Sequence, residues 1–288
     1  MAAVFRKELS SFFNSMLGYV FVGAYVLIMG IIFFYINIRQ QYPDFSATLN
    51  SSTFLFLIVI PVVSMRLFAE EARQKTDQLL FTAPISIIKI AAAKYLAALA
   101  LYLIPLIVMI IFPLAMAPFT TGMPVGVVLS TFLGYFLLGA CLISVGLLIS
   151  SLTENQIVAA LATCAAVIIF FLLDMIANNA PADRTSNLIF IAVLIIAIAA
   201  FIRLAMGTMP GAVICGVIAL IACAAAFFIN NTVFDGSMGK VLSWISLMSR
   251  YTNFGKGTLN ITDIVYGVSF STAFVFFTSI AVERRRWR

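Results

Sequence analysis

The chain alternates long apolar runs with short polar stretches. No charged residue falls in residues 9–38, 45–65, 95–153, 155–173, 185–202, 204–234 or 264–282. A bilayer core is crossed by roughly 20 residues of apolar helix, so six of these intervals hold one span each. The longest, broken between Pro118 and Pro124, holds two. The pattern predicts eight transmembrane helices, at 16–36, 47–65, 95–117, 125–152, 157–176, 188–205, 211–229 and 264–282. A closed β-barrel would need strands of about ten residues alternating in polarity. These runs are continuously apolar, so the predicted fold class is an all-α integral membrane protein, one polytopic domain over residues 1–288.

Before the first span, Phe5, Leu9, Phe12, Phe13 and Met16 recur at helical spacing among Arg6, Lys7, Glu8, Ser10, Ser11 and Asn14. Residues 1–15 are therefore expected to form an amphipathic helix in the membrane interface. Arg6 and Lys7 precede the first span as they would in a signal peptide, but that span is too long for a cleavable apolar region and no small-residue cleavage site ends it. It is expected to be retained.

Composition sharpens this picture. Hydrophobic residues make up 63% of the chain and charged ones 10%, against about 45 to 50% and about 25% in soluble domains. Loops rich in Lys and Arg stay in the cytoplasm. With alternating spans, twelve of the 17 basic residues gather on the side of the N-terminus, including Arg284, Arg285, Arg286 and Arg288, and five (Arg39, Arg184, Lys240, Arg250 and Lys256) lie opposite. Both termini are thus expected in the cytoplasm. The net charge of +6 faces anionic lipid headgroups and an inner partner there, so it calls for no nucleic acid. Cys141, Cys164, Cys215 and Cys223 lie inside predicted spans with neither disulfide nor zinc-ligand spacing. With no histidine and no G-x-x-x-x-G-K-[ST] loop, the chain offers no catalytic residues, metal site or cofactor site. Any work against a gradient must draw its energy from another chain.

The candidate chemistry concentrates in residues 66–94, which hold eight of the 28 charges. Arg66 with Glu70, Glu71 with Lys75 and Arg73 with Asp77 are i,i+4 pairs that support an exposed helix. That helix should end in the apolar tip Leu79, Leu80 and Phe81 and be closed by Pro84. Such a tip fits a docking helix; a solvated linker is the alternative. Thr153 and Gln156 form a capping-box pattern at the start of the fifth span. Span four carries Ser130, Gly134, Gly139, Ser144 and Gly146, small residues that permit close helix approach. Asp174 and Arg203 are expected to snorkel to the headgroups. Within 231–262, Val241, Leu242, Trp244, Ile245 and Met248 give one apolar face, as for a helix lying at the outer interface or dipping back.

The run FAEEARQKTDQLLFTAPIS resembles the signature after the second span in permease subunits of type-2 ATP-binding-cassette exporters, with Glu70, Glu71, Arg73, Thr76, Leu80 and Pro84 carrying the match. SSLTENQIVAA at 150–160 and NFGKGTLNITDIVYGVSF resemble two further segments of that family, and the branch most resembled includes the gliding-motility-type permeases. Lys75 and Gln78 stand where the family often has Gly and Glu. The resemblance implies six core spans, with residues 188–229 as an extra hairpin and 231–262 as an outer gate. It also implies a cytoplasmic coupling helix at 66–83, docking an ATPase through Glu70, Glu71, Arg73, Lys75, Thr76, Leu79, Leu80 and Phe81, with Glu154 as a second contact. The implied partners are two cytoplasmic ATP-binding-cassette ATPase subunits and a second permease, identical or related, in a bacterial plasma membrane. A membrane anchor that recruits an ATPase without moving a solute is the competing expectation. An ion-coupled carrier is disfavoured, since only Asp174 and Arg203 offer charges within the spans.

Because the chain lacks a phosphate-binding loop, the purified protein in liposomes should bind no ATP in equilibrium dialysis and hydrolyse it only at background rate. Stoichiometric nucleotide binding would refute that expectation.

Overall fold

The computed structural model describes residues 1–76, 85–116, 118, 125–180 and 237–286, and these are helices and turns without a strand. Six helical stretches are long and apolar enough to cross a membrane: Met16–Arg39, Ser46–Arg73, Ile87–Met116, Val125–Leu152, Gln156–Asn178 and Ile261–Arg284. They coincide with six of the eight predicted spans. The other two, at 188–205 and 211–229, lie outside the described residues together with Arg203, Cys215 and Cys223.

Helix α1 (Ala2–Asn14) buries Val4, Glu8 and Phe12 and ends at Ser15, whose extended backbone turns the chain into α2 (Met16–Phe33). The turn depends on Gly18, where a Cβ would stand 2.5 Å from the Phe12 carbonyl oxygen. After α2 comes a π-helical turn at Phe34–Arg39, tied down by buried Asn37, whose Nδ2 donates to the Tyr42 and Asp44 carbonyls at 2.8 and 3.2 Å. The second span is built from α3 (Ser46–Ser51), a 3₁₀ turn (Ser52–Leu55), α4 (Phe56–Ser64) and α5 (Ala69–Arg73), with a non-helical turn at 65–68. The third joins α6 (Ile87–Met109) to α7 (Ile111–Met116). It begins eight residues before its predicted start, because Lys94, expected in the loop, lies inside α6 and is fully buried. Five further helices follow among the described residues: α8 (Val125–Leu152), α9 (Gln156–Asn178), the pair α10 (Ser237–Ile245) and α11 (Leu247–Gly255) within 231–262, and α12 (Ile261–Arg286).

The described helices divide into two compact units. In the first (Met1–Phe170 with Arg250–Arg288), α8 is the spine, packed against α3, α4, α5, α6 and α12. The apolar window of α8 is 67% buried and that of α9 only 17%, so α9 turns most of its surface outward. The small residues of α8 allow this crowding: a Cβ on Gly134 would fall 2.5 Å from Phe254, on Gly139 2.5 Å from the Tyr102 ring, and on Gly146 2.3 Å from Ser64 Oγ. Between these contacts lies a buried hydroxyl cluster. Tyr25 and Tyr135 share a 2.8 Å hydrogen bond, Ser52 Oγ donates to Tyr135 at 3.2 Å, and Tyr102 donates to the Tyr135 carbonyl at 3.0 Å.

The second unit spans Phe171–Ser249. Here Asp174, expected to snorkel, accepts hydrogen bonds from Ser246 Oγ at 3.0 Å and Asn178 Nδ2 at 3.2 Å. Of the apolar face expected in α10, Leu242 is buried and Trp244 is exposed.

Since interiors of this density resist added volume, Gly139→Val should cost about 1 to 3 kcal/mol and lower the thermal midpoint in detergent. Gly23→Ala, with open space around its Cβ, should leave the midpoint where it is.

Candidate coupling site

The second span breaks where it leaves the bundle, and a helix break orphans backbone groups that must find other partners. Ser150, near the end of α8, supplies them. Its Oγ accepts from the amides of Phe68 at 3.1 Å and Ala69 at 3.2 Å and donates to the Met65 carbonyl at 3.3 Å. So fixed, α5 leads into an arm whose Arg73, Gln74, Lys75 and Thr76 are exposed, and Lys75 adopts a left-handed backbone at φ 55°. The expected long helix is therefore a five-residue one over the described part. Asp77–Pro84, including Leu79, Leu80 and Phe81, lie outside the described residues.

The three expected i,i+4 pairs fare differently. Arg66 grips Glu70 with both nitrogens, Nε to Oε2 at 2.6 Å and Nη2 to Oε1 at 2.9 Å. Glu71 does not face Lys75; it turns inward, accepting from Lys7 Nζ at 2.8 Å with Oε1 and lying 2.9 Å from Lys94 Nζ with Oε2. The latter is a charge contact without hydrogen-bond alignment. The third pair ends at Asp77, beyond the described stretch.

Lys94 is the centre of this arrangement. Its ammonium donates to Glu8 Oε1 at 2.9 Å and to the Leu67 carbonyl at 2.6 Å, faces Glu71, and sits 5.1 Å from the centroid of the Phe68 ring. An ammonium has three donors and no acceptor; two of them make hydrogen bonds here, and Glu71 adds a charge contact. Burial alone would lower the pKa of Lys7, but its hydrogen bond to Glu71 and the charges of Glu71 and Glu8 outweigh that and raise it. Lys7, Glu8, Lys94 and Ser150 were not among the sequence candidates. A lysine isolated in the run AAAKYLAALA, where a charge needs a partner, was the available signal for one of them.

Glu154 is exposed four residues after Ser150. The neighbouring capping box does not form. Asn155 instead starts α9, its Oδ1 accepting from the Ile157 amide at 2.9 Å, while Thr153 Oγ1 accepts from the Asn155 amide at 3.2 Å. Among the described residues no three His, Cys, Asp or Glu side chains gather as a metal site.

A protein-family model described as ABC-2 family transporter protein matches residues 14–173, more than half of the chain. The chain belongs to the ABC-2 transporter family. The match takes in four spans and most of the fifth, the whole segment from Arg66 to Lys94, and the turn at Glu154. No curated protein matches the chain significantly. An ABC-2 chain is a multi-pass, permease-type membrane component of a transporter, and its family works with ATP-binding partners.

Ser150→Ala should leave the Phe68 and Ala69 amides without their acceptor at a cost of about 1 to 3 kcal/mol. The expected readout is faster hydrogen exchange at those two amides, with exchange in the middle of α8 unchanged.

Proposed function

We propose that this ABC-2 chain is the permease subunit of an ATP-binding-cassette exporter in a bacterial plasma membrane, on the gliding-motility-type branch. Two separate ATPase subunits supply the energy, and a second permease copy, identical or related, completes the pathway. In this proposal the end of the first unit that carries α1, α5 and Ser150 faces the cytoplasm, both termini lie there, and residues 188–229 add two spans to the six described.

The observation that carries the reading is the arm after the second span. It holds the residues expected to couple, it falls within the family match, and it is anchored at Ser150 to α8, the spine of the first unit, while Arg73, Lys75 and Thr76 remain exposed. An arm so fixed at its root can pass a push from an ATPase into α8. Leu79, Leu80 and Phe81 would fill an apolar cleft of the ATPase, with Glu70 and Glu154 as charges around the contact and Glu71 holding the root of the arm from within.

Two measurements test this. Single cysteines at Thr76 and Gln40, both exposed, in a background lacking the four native cysteines, should divide in intact cells: an impermeant thiol reagent labels Gln40→Cys and spares Thr76→Cys. Ser46 suits this less well, being buried. In the second, Leu80→Asp should abolish co-purification of the ATPase without affecting membrane insertion, because an unpaired charge at an apolar contact is costly. Retention of the ATPase by Leu80→Asp would remove the docking role. An ATPase that binds the wild-type chain but drives no movement in it would favour the anchor.

A further inference from the structure

A buried ion cluster is rarely the most stable filling for its space. Replacing one with apolar side chains of similar volume is often neutral or favourable, whereas deleting a single member is strongly destabilising. This chain, 63% hydrophobic, nevertheless buries Lys94 completely among Ile90, Ala91, Ala97 and Ala98 of its own helix. Lys94 lies seven residues into α6, about 10 Å along the helix from its start, and is fully buried in the protein, where a charge without partners is expensive. Its partners come from two other elements. Glu8 belongs to α1 and Glu71 to α5, and Lys7 closes the set by bridging back from α1 to Glu71. Two cations and two anions make the set neutral, and no member can leave without stranding a charge.

The cluster sits beside the turn at 65–68, the one place where the second span loses its helical ladder before α5. Ser150 holds the root of the arm at this turn, but an arm held at one point can still tilt about it, and part of a force applied at Thr76 would be spent in bending. We propose that Lys94 is a positioning residue that locks the α5 arm to α1 and α6, so that the three move as one body when the arm is pushed. The site of force entry is then wider than the arm, and α1 serves as a lever on the membrane surface. The source of the push rests on the permease reading above; the locking does not, and the nucleotide-free comparison of the variants tests it by itself.

Spin labels at Arg6→Cys in α1 and Gln74→Cys at the end of α5, both exposed, would be introduced in the cysteine-free background and reconstituted in nanodiscs. The parent should give a single narrow distance population, unchanged when the ATPase and ATP are added. Lys94→Met should convert it to a broad one. Since that variant strands a negative charge, a second one, Lys94→Met with Glu8→Gln, keeps the Lys7–Glu71 pair neutral and should broaden the population equally while eluting as a folded species. A narrow population in the neutral double variant would overturn the proposal, as would a parent distance that shifts on addition of ATPase and ATP. Failure of the ATPase to bind at all would count against the permease reading and leave the nucleotide-free comparison of the variants to decide the lock.

Discussion

Within a bilayer no water is available to satisfy a backbone group that leaves the helical ladder, so each break must be covered from within the protein. The described breaks obey this constraint with single polar side chains. Asn37 caps the carbonyls beyond the first span, Ser150 takes the amides at the root of α5, and the hydroxyls of Ser130 and Thr131 on α8 donate to the Phe254 carbonyl at the end of α11, at 2.9 and 3.4 Å. Two of the three are served from α8, which explains why that helix is both the most crowded and the richest in small residues. It must approach every irregular segment closely enough for a serine to reach.

The same constraint separates what was legible in the sequence from what was not. Spans announce themselves through the absence of charge, and Gly134, Gly139 and Gly146 pointed to close packing before their neighbours were known. Pairing was less readable. Arg66 and Glu70 meet because they stand one turn apart at the half-buried root of the arm, but Glu71 had two possible fates at helical spacing, and the buried Lys94, 23 positions further along, outcompetes the solvated Lys75. A one-dimensional pattern shows neighbours on one helix; it does not show that α1 returns to lie against α6. The capping box failed for a local reason, since Asn155 stands one residue before the helix and its short amide reaches the Ile157 amide directly. The third span starts ahead of its uncharged run because Lys94 is an interior group with its own counter-charges and not a boundary.

The ion set around Lys94 also bears on how the chain is made. Glu8 emerges 86 residues ahead of the lysine it will bind, so for that interval its charge must be accommodated elsewhere. An amphipathic α1 can wait at the membrane surface, where the carboxylate stays hydrated, and a transmembrane helix in its place could not. Lys94 meets the opposite situation. When it enters the bilayer with α6, Glu71 is already at the end of the preceding span, and the lysine descends with a counter-ion at hand. The contact of α1 with α6 through Glu8 and Lys94 thus closes only after both helices have been made.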